Sequence, residues 1–390
     1  MINFLRWTES PQFNTTVLFE ILRDFRKGGI NPTNFAEFIA MIESLPPVKR
    51  GIERDYSQFN KLGLSDIRPE EMNVIIREAI RRSIEKSKKC WHPLASNTTC
   101  DLNVDGSVRI SAAHSVQNNG ILNQIAENGH VMTYEMSMGE LTGGKLGKNH
   151  ASVFWGFCNT HDAIFRPIEV VPYTCTEEQN FLFAYRGFVV AAHSKIQGST
   201  WVNFEEQSNI DIQVTKRMFD DAIINSAFDE IQTDVFEFPA VYPIAASSSF
   251  YLDYDFIGNP IPHSDSRMEN IYVSIFPQDR KTVFLISYFK EDERLYGNLG
   301  NQLKKRDNLF SDITILLAGH VENIYFNPLY YKTFIEKYEN ELVSLIQDTQ
   351  LDFAFFGEDN TIKETISLTP SDYLANKYGI NFFGYGNTTT

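Results

Sequence analysis

Cys90, Cys100 and Cys158 fall within one 69-residue window, and Cys158 opens a Cys-x2-His pair with His161. A zinc ion takes four soft or borderline donors in a tetrahedron, commonly delivered as two short pairs. A two-residue gap lets both members of a pair face one ion from a knuckle or a helix start. The first pair, CWHPLASNTTC, is wider than usual, but Pro93 and Asn97-Thr98-Thr99 can turn the chain and bring Cys100 back. His92 competes with Cys100 for the fourth position. The strained geometry of Cys-x-His favours Cys100, and spacing alone leaves the choice open. The expected structural zinc ligands are therefore Cys90, Cys100, Cys158 and His161. Cys175, just after Pro172, is expected to be a plain core residue.

Four cysteines in 390 residues are too few for a disulfide framework. With histidines beside two of them, metal binding in a reducing, cytoplasmic compartment is the expectation. No apolar run approaches the roughly 18 residues of a membrane span, so no membrane contact is expected. Hydrophobic residues make up 43% of the chain and aromatics 13%, enough to build a sizeable core. The net charge of −15 argues against a surface that coats nucleic acid. From Arg68 to Glu169 basic and acidic residues balance at 11 each, so any contact with DNA or RNA must be local to that segment.

Hydrophobic periodicity predicts an α+β protein in three parts. Residues 1–89 read as a helical region. Val17, Leu18, Ile21, Leu22 and Phe25 share one face over Thr15–Arg26, and Phe35, Phe38, Ile39 and Ile42 repeat the pattern. A third helix starts near Pro69 and ends in Lys86-Ser87-Lys88-Lys89, where positive charge complements the helix dipole. Residues 90–200 read as a zinc-centred module with a following helix over Glu177–Ile196. Within it, Val108–Ala112 is expected to be a strand and Gln117–Ile125 a helix start. Gly139–Lys148 (GELTGGKLGK) reads as a flexible turn, because it lacks the Gly-Lys-Ser/Thr ending of a phosphate-binding loop. Residues 201–390 read as a strand-rich domain with closing helices. Ile271–Phe276 and Thr282–Phe289 flank a hairpin loop at Pro277–Lys281, Val241–Leu252 is a further strand, and Pro328–Gln347 is a helix.

The run ISAAHSVQ places His114 at a strand end, between the two candidate ligand pairs. It resembles the Ala-Ala-His stretch of HNH nucleases, and GFCNTHDAIF resembles their closing zinc-ligand segment. The order Cys, Cys, Ala-His, Cys-x2-His-Asp is also similar to that of a group of bacterial proteins. The resemblance covers about eighty residues and implies a treble-clef-like zinc module. It also implies His114 as the general base and Asp162 as a ligand of a catalytic Mg or Mn ion, with DNA or RNA as substrate, possibly in bacterial antiviral defence. The chain departs from that pattern in three places. Ala113 stands where the family has an acidic residue, Val153 stands where it has its middle asparagine, Asn149 being the nearest, and the gap from His114 to Cys158 is longer than the family's.

Two functions follow as expectations: an HNH-like, metal-dependent nuclease, or a non-catalytic zinc-stabilised sensor or scaffold for a protein or nucleic-acid partner. A third, with Cys158 as a nucleophile activated by His114, conflicts with zinc binding, because a metal-bound thiolate cannot attack. A His114 close to a shared ion with Asp162 would favour the nuclease. A buried His114 bonded to backbone would favour the scaffold. Among other polar residues, Glu169 is expected in an ion pair, His130 in a turn, and His193 on a helix as a polar-face or core histidine.

Overall fold

The computed structural model describes residues 84–137, 140–198, 206–264, 267–350 and 376–384. The helices expected over 15–26, 34–44 and most of 69–89 lie outside these residues. Chain contacts define two compact units. One comprises Lys89–His193, Asn209–Asp352 and Ile366–Thr390. The other comprises Met1–Lys88, Ser194–Ser208 and Phe353–Thr365, where residues 84–87 form a helical turn. The mixture of helix and sheet is of α+β type.

Nine strands are described. β1 (Ser111–His114) pairs antiparallel with β4 (Val153–Phe157) as a separate two-stranded ribbon. The other seven form an antiparallel sheet in the order β3-β2-β9-β6-β7-β8-β5. They are β2 (His130–Ser137), β3 (Glu140–Gly147), β5 (Ile231–Phe238), β6 (Ile244–Phe250), β7 (Ile271–Gln278), β8 (Lys281–Phe289) and β9 (Ile324–Phe326). The sheet thus draws β2 and β3 from the segment between the two ligand pairs and its other strands from beyond residue 230.

β7 and β8 read as nearly continuous apolar runs because both faces of the sheet are covered. On one face Ile271, Val273 and Ile275 join Phe284 and Ile286 in a core with Ile313 and Leu317 of helix α4 (Leu309–His320). Ile380, Phe382 and Phe383 of the C-terminal segment enter the same core. On the other face Tyr272 and Phe289 pack on Phe219 of α3 (Glu206–Asn225), with ring centroids 5.2 and 4.7 Å apart. Phe276 stacks at 4.8 Å on Phe183 of α2 (Glu177–Gly198). The alternation of side chains along each strand assigns its odd and even residues to these two cores. Among the described residues no helix is long and apolar enough to cross a membrane.

Several boundaries differ from the sequence reading. The strand expected at Val108–Ala112 is shifted to Ser111–His114. Val108 instead forms an isolated bridge with Leu102, in the loop between Cys100 and β1. The segment read as a flexible turn at Gly139–Lys148 contains β3, paired with β2 from His130–Gly147 to Ser137–Glu140. Backbone hydrogen bonds can hold an edge strand that glycine leaves without side chains to pack, so its composition hid it. The β7–β8 hairpin turns in two residues, Asp279 and Arg280, with Asp279 at φ 55°. Pro277 fits inside β7 because the β6 register ends at Ile275, so no donor is demanded of it on that side. The helix expected at Pro328–Gln347 is broken. A turn at Pro328–Tyr330 widens over Tyr331–Ile335 and tightens at Glu336–Tyr338 before α5 (Glu339–Gln350) begins. The wide turn lets adjacent Tyr330 and Tyr331 both bury their rings.

α2 meets the sheet most closely at Gly187, where an added Cβ would lie 2.8 Å from the Ser248 carbonyl oxygen of β6. A helical Gly→Ala change ordinarily stabilises by about 1 kcal/mol. Here the clash is with backbone and cannot be relieved by a rotamer. Gly187→Ala is expected to destabilise the protein by roughly 1–3 kcal/mol. Urea unfolding of the full chain reads the sign, and a gain in stability would refute the packing.

Candidate metal centre

Cys158 directly follows β4 and stands just before a short helix, α1 (Asn159–Asp162), in extended conformation (φ −80°, ψ 161°). Its carbonyl accepts from the backbone N–H of His161 (3.1 Å) and of Asp162 (2.9 Å), curling Cys-x2-His into a knuckle. Cys90 is held against the same strand by two hydrogen bonds. The Trp91 N–H donates to Gly156 O (2.9 Å), and the Lys89 N–H donates to Trp155 O (3.4 Å). Cys100 closes a compact turn, its N–H donating to Ser96 O at 2.9 Å while the Thr99 hydroxyl donates to Leu94 O. Asp101 then links this turn to the knuckle. Its carboxylate accepts from the Thr160 N–H (2.9 Å) and hydroxyl (3.0 Å), and chiefly the first of these holds it below the usual carboxylate range.

The result brings the donor atoms of Cys90, Cys100, Cys158 and His161 within 4.8 Å of one another. Cys90 Sγ and Cys158 Sγ are 4.0 Å apart. His161 Nδ1 lies 3.4 Å from the sulfurs of Cys90 and Cys100 and 3.2 Å from that of Cys158. A tetrahedral ion with bonds of about 2.3 Å to sulfur and 2.0 Å to nitrogen needs S···S of about 3.8 Å and S···N of about 3.5 Å. The group therefore has the size and donor chemistry to hold a metal ion such as zinc. Burial pushes the Cys90 thiol up to about 12, so its thiolate needs a cation close by.

His92, the rival ligand, lies outside the donor set. Its ring stacks on His161 at 4.2 Å with planes 12° apart, and its Nδ1 accepts from the Leu94 N–H at 3.2 Å. Burial, then His161, then Lys216, lowers it to about 4, so it is a neutral plate against the ligand ring at ordinary pH. Behind the knuckle lies an aromatic layer. Phe157 packs on Phe165 at 5.3 Å and Tyr185 at 6.1 Å, and Trp91 meets Phe188 edge-on at 6.1 Å.

His114 ends β1 opposite Val153, half-buried. Its Nε2 is buried without a hydrogen-bond partner. Burial, then the Arg186 charge, keeps this histidine below its ordinary range and hence neutral. Asp162 is pushed up by burial, with Arg186 acting in the opposite direction. Both residues thus sense one ion pair, in which Arg186 donates to Glu169 Oε1 at 2.5 Å and lies 4.2 Å over the Phe165 ring. The ion pair of Glu169 matches its sequence reading. His193 is a core histidine, 1% exposed and edge-on to Phe154 at 5.8 Å. His130 follows the left-handed Asn128-Gly129 turn and opens β2. Cys175 is exposed at φ 62°, contrary to the expected core position, because the turn after Pro172 swings it outward.

Two contributors went unread in the sequence. Asp101 directly follows a ligand and faces a helix start, a pairing that capping chemistry could have signalled. Arg186 acts through a distant helix and leaves no local signature. No protein-family profile, curated protein or solved structure matches the chain.

Elemental analysis of the purified full chain is expected to give about one zinc per chain. Cys158→Ser should lose the metal and much of the stability, whereas His92→Ala should retain it. Protons compete with metal for thiolates, so zinc is released as pH falls. A metal-free protein whose Cys158→Ser variant melts with the parent would remove the site.

Proposed function

We propose that this chain is a non-catalytic protein in which a structural zinc holds the β1–β4–α1 module in place for binding a protein partner. Cys90, Cys100, Cys158 and His161 would hold the ion, which when bound supplies folding free energy. The observation that carries the reading is the state of His114. Its Nε2 is buried without a hydrogen-bond partner and has no contact with solvent. A general base must come within about 2.6–3.2 Å of the proton it removes, directly or through one water. A nitrogen sealed from solvent is poorly placed for that. Cys90, Cys100, Cys158 and His161 are also the one group of three or more candidate ligands among the described residues, and Asp162 is not part of it. The net charge of −15 favours a protein partner over nucleic acid. A reducing cytoplasm would keep the thiols available to the metal.

A specific observation favours the second reading, an HNH-like nuclease acting on DNA or RNA in bacterial defence. An antiparallel strand pair leads into a helix, with a histidine closing the first strand and Asp162 in the helix. Nε2 of His114 has no partner among the described residues, so in the tautomer protonated on Nδ1 it keeps a free lone pair that can accept a proton. Arg186 would keep Asp162 ionised despite its burial.

The test is cleavage of single- and double-stranded DNA and RNA with magnesium, manganese or no added metal. No cleavage is expected from the parent or from His114→Ala, and partner binding should survive that substitution. Cleavage that His114→Ala reduces by roughly 10²–10⁴-fold would overturn the scaffold reading and establish the nuclease.

A further inference from the structure

The loop after β1, the middle of α2 and strands β6 and β7 enclose a cavity of about 10 Å³ lined by Ser115, Arg186, Ser247 and Ser274. Three of its polar atoms are buried with no hydrogen-bond partner: Ser115 Oγ, Arg186 Nε and Ser247 Oγ. Their side chains are 2%, 2% and 4% exposed. They come from three elements that meet because Gly187, beside Arg186, lets α2 approach the β6 backbone at Ser248. Buried polar groups in native proteins are nearly always satisfied, by protein or by an ordered guest.

The chemistry of the three atoms defines that guest. Arg186 Nε–H can only donate, whereas each serine hydroxyl can donate or accept. A water molecule accepts from the guanidinium and donates one hydrogen to each serine oxygen, completing three hydrogen bonds, the usual number for a buried water. The volume admits one such molecule. An anion is disfavoured on charge, because the Arg186 cation is already neutralised by Glu169 at 2.5 Å. Apart from Gln117 and Ser274 the remaining wall is apolar, including Phe183, Ile275 and Phe276, and the volume excludes a larger ligand.

The geometry points to a site for a single ordered water that bridges Ser115, Arg186 and Ser247. It joins the loop following His114 to α2 and to the central sheet. The site is independent of the functional readings above, since none of its three residues is a metal ligand or a proposed base.

High-resolution crystallography of the full chain tests it, with bromide exchanged for chloride in the crystals. One solvent peak within hydrogen-bonding distance of all three atoms, without bromide anomalous signal, is expected. Ser247→Ala and Ser115→Ala should each fold, bind zinc like the parent and weaken or lose the peak. A bromide peak at the site would overturn water in favour of an anion site. A site where the three atoms pair with one another and leave no peak would overturn the proposal altogether.

Discussion

The convergence of Cys90, Cys100, Cys158 and His161 is the contact on which the arrangement of this region depends. It closes the chain between residues 90 and 161, and loop closure without a strong local bond is entropically unfavourable. Three thiols and an imidazole within 4.8 Å gain little from one another as neutral groups. A cation that replaces their protons converts the same cluster into a cross-link. Cys158 is central to it, because one residue directly follows β4, precedes α1 and supplies a donor. Asp101 tightens the closure from outside by binding Thr160 within the knuckle.

From this point the module is tied to the sheet by polar as well as apolar contacts. The Ser152 N–H, just before β4, donates to the Tyr325 hydroxyl of β9 at 2.8 Å, and the Ser152 hydroxyl donates to Val116 O at 3.1 Å. Gln117 donates to the Glu169 carbonyl, and Glu169 holds Arg186 on α2. These bonds run through the interior, where an unpaired donor or acceptor is expensive and a paired one fixes geometry. The aromatic layer of Phe157, Phe165, Tyr185 and Phe219 carries the same connection in apolar form, down to Tyr272 and Phe289 of the sheet. His114 is half-buried with its Nε2 enclosed, and burial followed by the Arg186 charge keeps its ring neutral.

The two functional readings differ in how they treat that enclosure. In a scaffold, a neutral histidine with a buried ring nitrogen is a packing element at the strand end. In a nuclease, the same nitrogen would need access to water. The arrangement of strands and helix is common to both, since a fold can keep a layout whose chemistry it does not use.

Much of this was legible from residue order alone. The four donors, the helix over Glu177–Ile196 and the strands now seen as β6, β7 and β8 follow from local spacing and periodicity, which a sequence carries explicitly. The glycine-rich segment of β3 was not legible, because backbone pairing with β2 makes it a strand and its side chains contribute no pattern. The broken helix after Pro328 was hidden for a related reason: its apolar spacing is helical, and the bend comes from burying Tyr330 and Tyr331 together. The choice between His92 and Cys100 was beyond spacing as well, since it depends on where the Ser96–Thr99 turn returns the chain. Sequence by itself determined which side chains can bind a metal and which segments must be buried, because both are properties of residue type and periodicity. Only the tertiary structure decided which donors meet, that the Nε2 of His114 is buried, and that the Arg186 charge acts on both His114 and Asp162, because these relations join residues whose nearness depends on how distant segments pack.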